Sequence, residues 1–223
     1  FQRLSEAALA YQQGLSKWSR ERIEEFVSHL LKVMEKAAIA GLQIEHSERF
    51  QWLQPTARKM SLNSSVFIPS GILNESILIS TAIMEHDRDM GVIVAAPTAG
   101  SAGVIPSLLL PLMWSGEYSI EQLVKALLAA GLVGVFIQNQ GTFAAEVAGC
   151  QAENGSASAM AAAALCDLTG ADLQTALKAA ALALSNMLGL VCDPVGGGVE
   201  IPCISRNASA AANALVSANM ALG

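Results

Sequence analysis

The charges of this chain nearly stop at residue 90. Residues 1–90 carry ten of its thirteen Lys and Arg and eleven of its nineteen Asp and Glu, so eleven charged side chains serve the remaining 133 residues. A stretch that long with so little charge has to become the interior of a fold, and the charged first part has to cover it. Alanine dominates the later segments, and alanine both favours helix and lets helix axes approach closely. The expectation is an all-α fold: a compact bundle of close-packed, largely buried helices with loops carrying the chemistry at helix ends. Residues 1–223 read as one catalytic domain, with 1–90 as amphipathic helical cover and 91–223 as apolar core.

Local signals place the elements. From Ser19 to Ala40 the residues Ile23, Phe26, Val27, Leu30, Leu31, Met34 and Ala38 recur at helical spacing, with Glu24 and Glu25 in the first turns. Residues 41–70, with Pro55 and Pro69, read as irregular, with 60–65 as a loop or junction. A helix follows over Leu73–His86, and Val92–Ala95 is short enough to be a buried strand or a helix end. Ser119-x-x-Gln122 opens a helix to about Val135. Further helices start at Asn154, at Asp172 with Leu173, Leu177, Ala180, Leu184 and Leu188 as the buried face, and at Asn207.

Composition excludes some partners. A net charge of -6 without a basic cluster argues against nucleic acid, whose phosphates need grouped Lys and Arg. The uncharged runs 91–116 and 126–145 approach the roughly 20 residues of a membrane span. Prolines 97, 106 and 111 break the first and Gln138-Asn139-Gln140 the second, which favours buried helices; an apolar membrane or scaffold protein is the competing class. Four cysteines are too few for a disulfide scaffold, and a reducing cytoplasm is the expected compartment. The chain starts at Phe1 and ends in a helical pattern, which reads as a fragment truncated at both ends.

Cys166 lies among small apolar residues and reads as a packed thiol. Cys150, Cys192 and Cys203 differ, each standing beside glycine, proline or a short polar residue. Their spacing, Cys150-x41-Cys192-x10-Cys203, matches no paired zinc motif. Three thiolates with no fourth protein ligand would leave an iron–sulfur cluster with one open iron, a Lewis acid; simple packing is the alternative reading. Glycines 196–198 permit positive φ and close backbone approach, as do Gly100 and Gly103 beside Thr98 and Ser101. Arg206, the sole arginine after residue 90, can pair a carboxylate or satisfy helix carbonyls. Glu146, Glu153 and Glu200 are rare carboxylates that can orient an ammonium group or cap a helix. His29, His46 and His86 fall in the charged part and read as surface residues.

Ala96-Pro-Thr-Ala-Gly-Ser-Ala-Gly103, Gly149-Cys-Gln-Ala-Glu153 and Cys192-Asp-Pro-Val-Gly-Gly-Gly-Val-Glu-Ile-Pro-Cys203 closely resemble the three signature segments of iron–sulfur-dependent L-serine dehydratase, in its alpha chain or C-terminal catalytic domain. The resemblance covers about residues 90–223, with looser similarity upstream. Gly198 and Asn154 depart from the larger apolar residues expected there, and the chain stops before the family's C-terminal end. The resemblance implies a 4Fe-4S cluster on Cys150, Cys192 and Cys203, and deamination of L-serine to pyruvate and ammonia without pyridoxal phosphate. It further implies gluconeogenic or amino-acid catabolism, a beta chain or domain as partner, and an oligomer. Ser101 and Thr98 are the candidate catalytic hydroxyls, and Gly100, Glu153, Asn154 and Arg206 the candidate substrate contacts. A related cluster-dependent lyase acting on L-cysteine is the nearest alternative.

Overall fold

The patterns resolve into ten helices: α1 (Leu4–Ser16), α2 (Arg20–Gly41), α3 (Ala57–Leu62), α4 (Ile72–Arg88), α5 (Val104–Trp114), α6 (Ile120–Gln140), α7 (Ala145–Ala148), α8 (Cys150–Leu168), α9 (Leu173–Asn186) and α10 (Cys203–Leu222). The computed structural model describes all residues 1–223 and contains no strand, so the all-α expectation holds. Side chains start the helices where the sequence suggests. The Ser19 hydroxyl accepts from Arg22 N–H at 3.3 Å and the Asp172 carboxylate from Thr175 N–H at 2.8 Å. Ser119 and Gln122 form a reciprocal capping box. Each such cap contributes about 1 kcal/mol.

α8 is the axis of the fold, with every residue from Glu153 to Leu168 buried. Such a helix has no solvent face and must be surrounded, here by α5, α6, α9 and α10. Its small residues set the partners' register. Ser158 Oγ donates to the Ala210 carbonyl at 2.9 Å, and Cys166 Sγ sits 3.8 Å from the Ala218 carbonyl. Both pairs are offset by 52 residues, so α8 and α10 run parallel and their first residues, Cys150 and Cys203, emerge at one end. α9 returns antiparallel, and the segment after it closes on the start of α8, with Gln151 N–H donating to the Leu190 carbonyl at 2.9 Å.

The first ninety residues wrap this core through α1 and α2 on α6 and α4 on α10 and α5, and α2 also packs on α4. α2 and α4 touch at Gly41, where any Cβ would overlap the Ala82 backbone. Buried Glu85 on α4 holds the start of α3, accepting from Thr56 N–H at 2.6 Å and Ala57 N–H at 3.0 Å. α6 is long and apolar enough to cross a membrane by length and composition, and it packs against α8, α1 and α2.

Several local expectations change. Residues 41–70 contain α3 and a 3-10 turn at Ser64–Val66, anchored from outside by Glu85. Val92–Ala95 is neither strand nor helix. α8 and α10 start four residues earlier than expected, at Cys150 and Cys203, because tertiary contacts hold their first turns. On α9 the buried residues are Ala176, Ala179, Ala180 and Ala183; the leucines flank this seam and Leu188 is exposed. His86 is half-buried, and burial lowers its pKa.

Candidate functional site

Three glycine-bearing segments meet where α8 and α10 begin. Gly149 starts α8 at φ 79°, and a Cβ there would stand 2.6 Å from the Leu190 carbonyl oxygen, so glycine alone lets the post-α9 segment lie this close. That approach delivers Val191, Cys192 and Asp193 to the mouth of α8. Arg206, in the first turn of α10, ties them down. Its Nη1 lies 3.3 Å from Cys150 Sγ, 3.0 Å from the Val191 carbonyl and 2.6 Å from Asp193 Oδ1. Asn207 makes the third junction, accepting from Gly103 N–H at 3.0 Å and donating to the carbonyls of Gly100 at 2.8 Å and Cys203 at 2.9 Å.

Cys150, Cys192 and Cys203 therefore share one end of the bundle, whereas Cys166 is buried inside α8. Burial pushes Cys203 up to about 11, and the neighbouring Cys150, Glu153 and Cys192 add to the rise. Cys150 is also raised by burial, against the pull of Arg206. The N-terminal ends of α8 and α10 work the other way, since a helix N-terminus favours a thiolate. Three soft donors, two helix N-termini and a guanidinium suit a metal–sulfur group in their chemistry. They do not form a ready coordination set, for no three Cys, His, Asp or Glu side chains stand at metal-binding distance. Cys192 is exposed, at the start of the loop that leads to Cys203.

On α8, Glu153 and Asn154 follow Cys150 at the i+3 and i+4 positions and share its face. Thr98 Oγ1 donates to Glu153 Oε1 at 2.5 Å and stands 3.0 Å from Ser101 Oγ. Burial pushes the Glu153 carboxyl above its usual range; the Thr98 hydrogen bond opposes the rise and Glu146 adds to it. Gly100 leaves this carboxylate open, because a Cβ there would stand 2.7 Å from Glu153 Oε1. Asn154 is fully buried, and its Oδ1 and Nδ2 have no hydrogen-bond partner. Glu146 is exposed on α7. Glu200 faces elsewhere, into Arg88 and the backbone of Gln51, Trp52 and Leu53. Of the two lysines after residue 90, Lys125 pairs with Glu121 and Lys178 is exposed on α9. Asn207 organises the site without standing out in the sequence; its place four residues after Cys203 on a small-residue helix is the only signal there.

A family profile described as serine dehydratase alpha chain matches residues 2–223. The probable L-serine dehydratase alpha chain of Bacillus subtilis is 36% identical over 220 residues, covering 98% of this chain and 73% of the relative. The L-serine dehydratase alpha chain of Peptoniphilus asaccharolyticus is 36% identical over 209 residues, covering 93% of this chain and 72% of the relative. L-serine dehydratase 1 of Escherichia coli is 31% identical over 227 residues, where this chain spans 49% of the longer protein. With all three cysteine-bearing ends inside the matched region, the chain belongs to the serine dehydratase alpha chain family.

Proposed function

We propose that this chain is the catalytic part of a pyridoxal-independent L-serine dehydratase, with Cys150, Cys192 and Cys203 as ligands of a 4Fe-4S cluster. The observation that carries the reading is the parallel register of α8 and α10, which puts two of the thiols at one end while α9 returns the third. When bound there, the cluster would supply Lewis-acid assistance to departure of the β-hydroxyl.

The chain's own residues bind, orient and move the proton. Arg206 commits Nη1 to the protein, and its Nε and Nη2 are left to pair the substrate carboxylate. Glu153 takes the α-proton. Its burial favours proton uptake, which suits a general base working near neutral pH. Thr98 holds the carboxylate in place, with Ser101 beside the Thr98 hydroxyl, and the unpartnered Asn154 amide is suited to the polar end of the substrate. Loss of the α-proton and the β-hydroxide, which leaves as water, gives aminoacrylate. This tautomerises to the imine and hydrolyses to pyruvate and ammonia.

The names of its relatives support a beta chain as partner and L-serine as substrate. Four free thiols fit a reducing, cytoplasmic setting. The test is pyruvate formation from L-serine and from L-cysteine by the anaerobically reconstituted chain, co-expressed with a family beta chain. Turnover of serine that Glu153→Gln lowers by at least about a hundredfold supports the assignment. Turnover of cysteine alone, or a fully active Glu153→Gln, refutes it.

A further inference from the structure

Glu200 lies between two of the site cysteines in sequence, yet the proposed chemistry makes no use of it. The residue is 2% exposed, and its carboxylate is saturated by donors from far away in the chain. Oε1 accepts from Gln51 N–H at 2.9 Å and from Arg88 Nε at 2.9 Å and Nη2 at 2.8 Å. Oε2 accepts from Trp52 N–H at 2.6 Å and Leu53 N–H at 3.1 Å. The Trp52 indole closes over the same loop: Gly196 has φ 64°, and a side chain there would collide with the ring. Within the loop, Val195 N–H donates to the Ile201 carbonyl at 2.9 Å and Ile204 N–H to the Val199 carbonyl at 3.2 Å. A carboxylate fixed by five donors therefore fixes the loop that carries it.

We propose that Glu200 is a positioning residue that, through Arg88 and the Gln51–Leu53 backbone, clasps the 193–202 loop and holds Cys192 and Cys203 toward Cys150. This rests on the reading that these thiols hold the cluster. It gives the charged first part of the chain a second role beyond covering the core, namely setting the reach of two ligands. Loss of the clasp would leave the helices standing and let the exposed Cys192 swing, so a held cluster would be easier to attack and lose. Positioning groups outside the ligand shell change metal affinity by about 10- to 100-fold.

The test compares wild type, Glu200→Gln, Glu200→Asp and Arg88→Gln. Iron and sulfide content and the rate at which air bleaches the visible absorption are read on reconstituted protein. Circular dichroism and amide hydrogen exchange are read on the metal-free chain. The expected result for Glu200→Gln is wild-type helicity, bleaching faster by about tenfold or more, and partial recovery in Glu200→Asp. Wild-type iron content and bleaching rate in Glu200→Gln would overturn the proposal. If that variant does not fold, Arg88→Gln takes its place, with the same result expected and the same result overturning the clasp. If the wild type itself binds no iron, the metal assignment fails and the clasp is judged by exchange alone. Amides of 193–202 should then exchange about tenfold faster in Glu200→Gln, with α8 unchanged; unchanged loop exchange overturns it.

Discussion

Replacing Thr98 by valine removes one hydroxyl and almost no volume, and isolates what that hydroxyl does for Glu153. The lost contact is a 2.5 Å hydrogen bond to a buried carboxylate that has no other protein donor. A hydrogen bond to a charged group is worth about 1.5–3 kcal/mol. Because Thr98 favours the ionised form, its loss moves the balance toward the protonated acid by roughly 10- to 150-fold at fixed pH. A protonated Glu153 cannot take the α-proton, so the acid limb of the kcat/KM profile moves to higher pH. On that limb, activity falls by about one to two powers of ten, while the alkaline plateau is largely kept. The assay is initial pyruvate formation under anaerobic conditions across the pH range, with iron content matched between the two proteins. An acid limb left in place, or a loss equal at every pH, would refute the assignment of Glu153 as the base that Thr98 tunes.

Two further predictions concern stability. Gly41→Ala forces α2 off the Ala82 backbone, an overpacking cost of about 3 kcal/mol, which for a chain of this size lowers Tm by about 6–12 °C; an unchanged Tm contradicts the close crossing. Burial works to raise the Glu200 carboxyl, but the Gln51, Trp52, Leu53 and Arg88 hydrogen bonds outweigh it and bring it down to about 2. A depressed carboxylate contributes stability above its ordinary value of 4.5 and loses it as pH falls through about 2. The deficit of metal-free Glu200→Gln in denaturant unfolding should therefore shrink between those pH values, and a constant deficit contradicts the clasp.

Features set by neighbouring residues were legible in the sequence. Ser19, Ser119 and Asp172 announced their helices because capping is a local hydrogen bond. That Cys150, Cys192 and Cys203 stand in loops or at helix ends was legible too, since glycine and proline punctuate those turns, but the helix starts at Cys150 and Cys203 were not. Longer-range features were not. α5 hides behind Pro106, which a first helical turn tolerates, and Pro111, which sits inside the helix against the usual rule. On α9 the larger leucines suggested the buried face, but close approach to α8 selects alanines. Glu200 and Glu153 look alike as rare carboxylates in an apolar half, and only the fold separates one clasped by Arg88 from one beside Thr98. The parallel register that unites the site rests on Ser158 and Cys166, which carry no motif.

Metal content decides whether three thiols, and not the fourth, hold iron. Each cysteine is replaced singly by alanine, and iron and acid-labile sulfide are measured per chain after anaerobic reconstitution. Cys166→Ala is expected to retain the wild-type content, while Cys150→Ala, Cys192→Ala and Cys203→Ala each lose most of it. Full retention in any of those three, or loss in Cys166→Ala with its helicity intact, would contradict the assignment of the ligands.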